Sequence, residues 1–128
     1  MTTVREGRRL AARAFGARAE ALAASHLEAQ GYQILARKFV IPGGEIDLIV
    51  LREDAVAFVE VKARPRMEAA LAAISETKRR RLARAAAGWL GKNPWAADGY
   101  ALRGDAVFVD ERRAPLHIED AFALEFLG

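Results

Sequence analysis

Between Gly43 and Arg64 the chain reads Gly-Gly-Glu-Ile-Asp-Leu-Ile-Val-Leu, then Arg-Glu-Asp, then Ala-Val-Ala-Phe-Val-Glu-Val-Lys-Ala-Arg. Two runs rich in Val, Ile, Leu and Phe around a short polar break are the signature of a β-hairpin. Side chains alternate along a strand, so Glu45, Asp47, Ile49 and Leu51 share one face of the first strand. By the same rule Val56, Phe58, Glu60 and Lys62 share one face of the second. A loop of Glu53-Asp54, or one from Arg52 to Ala55, pairs Leu51 with Val56. Asp47 then stands opposite Glu60, and Glu45 opposite Lys62. A slip of one residue would send the two carboxylates to opposite faces.

Opposed carboxylates repel unless a cation or a shared proton compensates. Mg²⁺ suits such a place, because it takes oxygen ligands and is often held by only one or two carboxylates. The alternative is a solvated face on which Glu60 and Lys62 form ordinary ion pairs of little energetic weight. Their neighbours argue against it. Ile49, Leu51, Val56 and Phe58 flank the charges on one face, and Ile46, Leu48, Val50, Val59 and Val61 make the other face apolar too. Charged residues at the end of a strand pair covered on both sides need a reason.

The remaining composition narrows the setting. At 128 residues the chain forms one domain, residues 1–128, with enough length for a real core. It contains no Cys, hence no disulfide framework and no thiolate zinc site, and His26 and His117 are too far apart to form a metal-ligand spacing. No secretory segment and no run of about 18 apolar residues is present, so a cytoplasmic protein without a membrane partner is expected. The net charge of +3 is unevenly spread. Residues 1–18 carry five Arg against one Glu, and residues 62–84 carry eight Lys or Arg against two Glu. A basic surface beside an acidic pocket suits a phosphate-rich partner. Arg outnumbers Lys sixteen to four, which fits phosphate recognition and fits a genome biased toward Arg codons equally well.

Taken in order, the chain predicts a helix from about Glu6 to Gln30, stopped by Gly31. Its narrow apolar stripe is Leu10, Ala14, Ala17, Ala21, Ala24 and Leu27. Glu20 lies on the line of Ala17, Ala24 and Leu27, either facing inward or at the stripe edge reaching water. Tyr32 to Ile41 reads as a strand, with Arg37 and Lys38 as an exposed edge, and Pro42-Gly43-Gly44 turns into the hairpin. Pro65 ends the hairpin's pairing, and Met67 to Ile74 is a short connection. Ser75 caps a second helix running to about Leu90, with Leu82, Ala85, Ala86, Trp89 and Leu90 buried. Trp89 is therefore expected in the core rather than as a stacking platform. The run Lys78-Arg79-Arg80-Arg81 covers more than one helix face, with Lys78 toward the sheet edge. Asn93 to Gly99 reads as loop, Tyr100 to Val109 as a strand broken by Gly104, and Leu116 to Ile118 as a short strand. A last amphipathic piece carries Phe122 and Phe126. The order is that of a mixed α/β layer architecture.

An acid on the first helix, Asp47 on one hairpin strand and Glu60-Val61-Lys62 on the next resemble the arrangement of the PD-(D/E)xK nuclease superfamily. More closely, the chain resembles the YraN-like family of bacterial proteins, which are similar to archaeal Holliday-junction resolvases. The resemblance runs from Gly16–Glu20 and Gly31-Tyr32 through Gly44-Glu45-Ile46-Asp47-Leu48-Ile49 and Phe58-Val59-Glu60-Val61-Lys62-Ala63-Arg64. It continues with Lys78 and Arg81 and closes on His117-Ile118-Glu119-Asp120-Ala121-Phe122. Where the family's last core strand usually reads Arg-Phe-Asp, this chain has Arg103-Gly104-Asp105, and loss of that side chain is expected to loosen the strand locally.

The resemblance implies a restriction-endonuclease-like core, a mixed central sheet flanked by helices. It implies a metal-dependent endonuclease hydrolysing DNA, branched or junction DNA included, with Asp47, Glu60 and the Val61 carbonyl holding Mg²⁺ or Mn²⁺. Glu20 would complete the metal shell, Glu45 would support it, and Lys62 would act on the attacking water or on the pentavalent state. Arg64, Lys78 and Arg81 would position the DNA backbone, and superfamily analogy implies a homodimer. The competing reading is a non-catalytic nucleic-acid-binding module on the same fold.

Overall fold

The computed structural model describes residues 3–63, 74–110 and 112–124, with only the backbone of residues 9–14. Arg64, Pro65, residues 67–73 and Phe126 lie outside the described residues, as do the side chains of Leu10 and Ala14. Helix α1 (Val4–Ala29) precedes strands β1 (Gln33–Ile41), β2 (Gly44–Arg52) and β3 (Ala55–Ala63). Helices α2 (Glu76–Lys92) and α3 (Pro94–Ala97) and strands β4 (Ala101–Val109) and β5 (Leu116–Phe122) follow. The five strands lie in the order β1-β2-β3-β4-β5. Among the described strands only β3 and β4 are parallel, and α2 lies in the crossover that such a pair requires.

The sheet is covered on both faces. Ala19, Ala23, Ala24 and Leu27 of α1 pack with Val50, Ala57, Val59, Val107 and Val109. On the other side Leu82, Ala85, Ala86, Trp89 and Leu90 of α2 pack with Ile49, Val56 and Phe58. Trp89 is buried and meets the Phe58 ring edge-on, as a core residue should. The chain is thus a mixed sheet flanked by helices.

Local chemistry sets the helix ends. Thr3 and Glu6 form a reciprocal capping box, so α1 starts two residues before the expected position. It ends in a Schellman motif: Gly31 lies at φ +91°, its N–H reaches the Glu28 carbonyl, and the Tyr32 N–H reaches that of Leu27, each at 3.0 Å. The buried stripe is turned from the expected one, because Ala17 and Ala21 are exposed while Ala19 and Ala23 are buried. Alanine on every side of α1 offers little hydrophobic contrast, so pattern alone fixes its rotation poorly. Ser75 caps α2 through the Lys78 N–H at 3.2 Å. The expected loop after it contains α3, opened by Pro94 at a position where a missing N–H costs nothing.

Strand β4 is not broken at Gly104. It pairs there with Phe58 on one side and Phe122 on the other, and Phe122 belongs to β5, which runs well past Ile118. A Cβ on Gly104 would stand 2.6 Å from the Phe122 ring, so that ring fills the space the glycine leaves. Among the described residues no helix is long and apolar enough to cross a membrane.

Candidate active site

The hairpin has the expected loop and register, with Leu51 paired to Val56 across Glu53-Asp54 and Glu53 in the left-handed region at φ +55°. Its ladder extends only from Arg52↔Ala55 to Leu48↔Val59. Asp47 and Glu60 do not continue it as a facing pair, and Glu45 pairs with Val40 of β1 rather than with Lys62. Instead the Asp47 carboxylate accepts the Val61 N–H through Oδ2 at 2.8 Å, standing in for a main-chain carbonyl.

The neighbouring strand β1 has an unusual backbone at the same level. Lys38 has φ +49°, an unusual backbone for a side chain of its length, between the pairs Arg37↔Leu48 and Phe39↔Ile46. The pleat changes phase at this point. Ile46 and Phe39 pack on the α2 side while Leu48 packs on the α1 side, although simple alternation would put Ile46 and Leu48 together. Here β2 leaves the β3 ladder at Asp47, and a fork opens between the strands.

A cleft of about 290 Å³ occupies the fork. Glu20 reaches it from α1, Glu45 and Asp47 from β2, Glu60, Val61 and Lys62 from β3, and Lys78 and Arg81 from α2. The structure therefore gathers every expected site residue except Arg64, which lies outside the described residues. Lys38 lies exposed on edge strand β1, as expected. Its ammonium lies 3.4 Å from Glu20, whose side chain is one-quarter exposed. The backbone at Lys38 is left-handed, and nothing in the sequence announces that conformation.

Electrostatics follow from burial. Lys62 Nζ lies 3.0 Å from Glu60 Oε1, and both side chains are largely withdrawn from water. Burial, then the charge of Glu60, pushes the Asp47 carboxyl up to about 7. The Val61 N–H opposes that rise, and Glu20 adds to it. Asp47, Glu60 and Glu20 thus crowd their negative charges together at a partly buried place, a condition a divalent cation relieves. Among the described residues no three His, Cys, Asp or Glu side chains are already drawn into a metal-holding group; Lys38, Lys62 and the Val61 amide each engage one acid. The donor set still fits a hard cation. It offers the remaining lone pairs of Asp47, the Glu60 carboxylate and a carbonyl: Val61 turns its N–H into the fork, and a strand residue's N–H and C=O face the same neighbour.

A second polar cluster lies apart from the cleft, beneath β5. Asp105 is fully buried on β4 and accepts from Arg103 at 2.9 and 3.1 Å and from the Asp120 N–H at 3.0 Å; His117 Nε2 lies 2.8 Å from it. Arg103 also donates to the Tyr32 hydroxyl at 2.7 Å, and Arg52 lies over the Tyr32 ring. Burial works against the Asp105 charge, but the partners His117, Arg103 and the Asp120 amide hold its pKa below the ordinary carboxylate value. No residue of this cluster lines the cleft. It ties the α1–β1 turn and edge strand β5 to β4.

Residues 19–109 match the uncharacterised protein family UPF0102. Similar bacterial proteins, each called a UPF0102 protein, cover most of the chain. The one from Methylobacterium nodulans is 54% identical over 107 residues, 84% of this chain and 82% of its own length. That from Methylorubrum extorquens is 52% identical over 120 residues, 94% and 93% of the two chains. A relative from Rhodopseudomonas palustris is 46% identical over 114 residues, 89% and 88%.

Proposed function

The chain belongs to the UPF0102 family, and we propose that it is a metal-dependent endonuclease-like enzyme of the PD-(D/E)xK type that hydrolyses phosphodiester bonds in DNA, branched DNA included. One observation carries the reading: Glu20, Asp47, Glu60, Val61 and Lys62, from three separate elements, line one cleft with Lys78 and Arg81 at its border.

Asp47, Glu60 and the Val61 carbonyl would hold a Mg²⁺ or Mn²⁺ ion, and Glu20 would complete the set from α1. When bound, the ion supplies a Lewis acid for the phosphate and acidifies water at neutral pH. Everything else falls to the chain. The Val61 N–H fixes one Asp47 oxygen, and so fixes how the carboxylate is turned. Glu60 holds the Lys62 ammonium at 3.0 Å, deep in the fork. From there it meets the charge that builds on the non-bridging oxygens as the phosphorus becomes five-coordinate. Glu45, exposed at the rim, supports the negative field that attracts the cation. Lys78, Arg81 and Arg64 hold the DNA backbone without reading bases. A second copy of the chain would serve a two-fold substrate such as a junction.

The test is Mn²⁺ calorimetry in the presence of a non-cleavable duplex, wild type against Asp47→Ala. Binding that vanishes in the variant supports the reading. No binding by the wild type at millimolar metal replaces it with a DNA-binding module that does no chemistry.

A further inference from the structure

We propose that a row of cations on α2 extends the cleft into a phosphate track, Lys78–Arg81–Arg84–Lys92, leading the DNA backbone over the Gly43-Gly44 turn and along edge strand β1. The proposal rests on the DNA reading above and adds Arg84, Lys92 and a direction.

Seven residues from Lys78 to Arg84 include five cations, and the fold assigns them to different tasks. Arg80 is engaged by Glu76 at 2.6 Å. Arg79 borders a separate groove with Phe108 and Phe122. Arg81 and Arg84 form no ion pair with the described residues, and both are exposed. Spacings of three residues place Lys78, Arg81 and Arg84 along one side of the helix, and Lys92 returns to that side two turns later.

That side borders the β1–β2 hairpin throughout. Gly44 meets the Arg81 carbonyl and Ala85. Gly43, at φ +81°, has the Arg84 guanidinium where a Cβ would stand. Gly88 packs against Ile41, and the Lys92 ammonium lies 5.7 Å from the centre of the Phe39 ring. The glycine at 43 therefore does more than turn the chain: it gives Arg84 a flat seat that holds its guanidinium beside the hairpin. From Lys78 to Lys92 the row spans about 21 Å at the helix rise, or roughly six nucleotides of one B-form strand at 3.4 Å each. A fork-shaped planar cation at Arg84 suits phosphate oxygens.

The experiment uses the full chain carrying Asp47→Asn, without metal, and a fluorescent DNA duplex whose affinity is followed against salt. The doubly substituted Arg84→Gln/Lys92→Gln protein is expected to bind more weakly, with a log–log salt slope shallower by about 1.8, about 0.9 for each lost phosphate contact. Arg79→Gln/Arg80→Gln carries the same charge change off the row and is expected to keep most of the slope. Equal slope losses in the two proteins would mean diffuse attraction and overturn the track, leaving the DNA reading in place. An unchanged slope in Arg84→Gln/Lys92→Gln overturns it as well. A parent protein with no salt-dependent DNA binding removes both.

Discussion

The Phe122 ring lies directly over Gly104, so close that a single carbon added to the glycine would stand 2.6 Å from it. An aromatic on β5 thereby supplies the bulk that β4 lacks, and the strand stays paired on both sides. Gly104→Ala is expected to cost about 1–3 kcal/mol through overpacking, and Phe122→Ala about 3–5 kcal/mol through the cavity it leaves. Combined, the two changes should cost less than their sum, because loss of the ring removes part of the clash and the added methyl fills part of the cavity, although the Phe122 carbonyl oxygen stays 2.8 Å from that position. Urea unfolding of the four proteins checks this; strict additivity would mean that the two positions are not coupled.

Asp47 makes stability depend on pH in the sense opposite to most acids. Its folded pKa of about 7 lies above the ordinary 3.8, so the unfolded chain loses this proton first. The wild-type protein is expected to lose stability as pH rises between those values, and the loss is complete above about 7. Asp47→Asn keeps an acceptor for the Val61 N–H and has no charge to bury. With a chelator present it should be the more stable protein at pH 8, by about 1–3 kcal/mol, and nearly equal to wild type at pH 4. Thermal melts at the two pH values decide.

Asp105 behaves in the usual way. Its folded pKa is depressed, so its stabilisation is present above the ordinary carboxylate value and is lost as pH falls through the folded one. Asp105→Ala strands the Arg103 guanidinium and His117 and should cost about 3 kcal/mol or more. Hydrogen exchange should show β5 opening more readily than β2 or β3, since the cluster is what fastens that edge.

Lys62→Ala should abolish cleavage, a loss of at least about 100-fold, while leaving DNA affinity unchanged. Single-turnover cleavage and binding measured on the same substrate separate the two effects. Undiminished cleavage would take Lys62 out of the mechanism.

Much of this architecture can be read from residue order. Alternation and loop length give the hairpin and its Leu51↔Val56 register, Ser75 marks the start of α2, and the position of Gly31 marks the end of α1. The fork cannot be read in this way. Strict alternation carries the ladder through Asp47 and Glu60, whereas the ladder stops at Leu48, level with a left-handed backbone at Lys38. A lysine rarely adopts that conformation, so only tertiary packing discloses it. The roll of α1 escapes for a different reason, since Ala17, Ala19, Ala21 and Ala23 are chemically alike. Likewise Gly104 reads as a defect until Phe122, eighteen residues later, is placed upon it.

At Gly44 a Cβ would lie 2.5 Å from the Arg81 carbonyl oxygen and 3.0 Å from the Ala85 nitrogen. Strand and helix touch there main chain to main chain, and no side chain stands between them to rotate or repack. The backbones that carry the acids of β2 and the cations of α2 are therefore held in direct van der Waals contact at this point. This wall of the cleft behaves as a fixed gauge, and any ligand of the cleft must match its width rather than induce it.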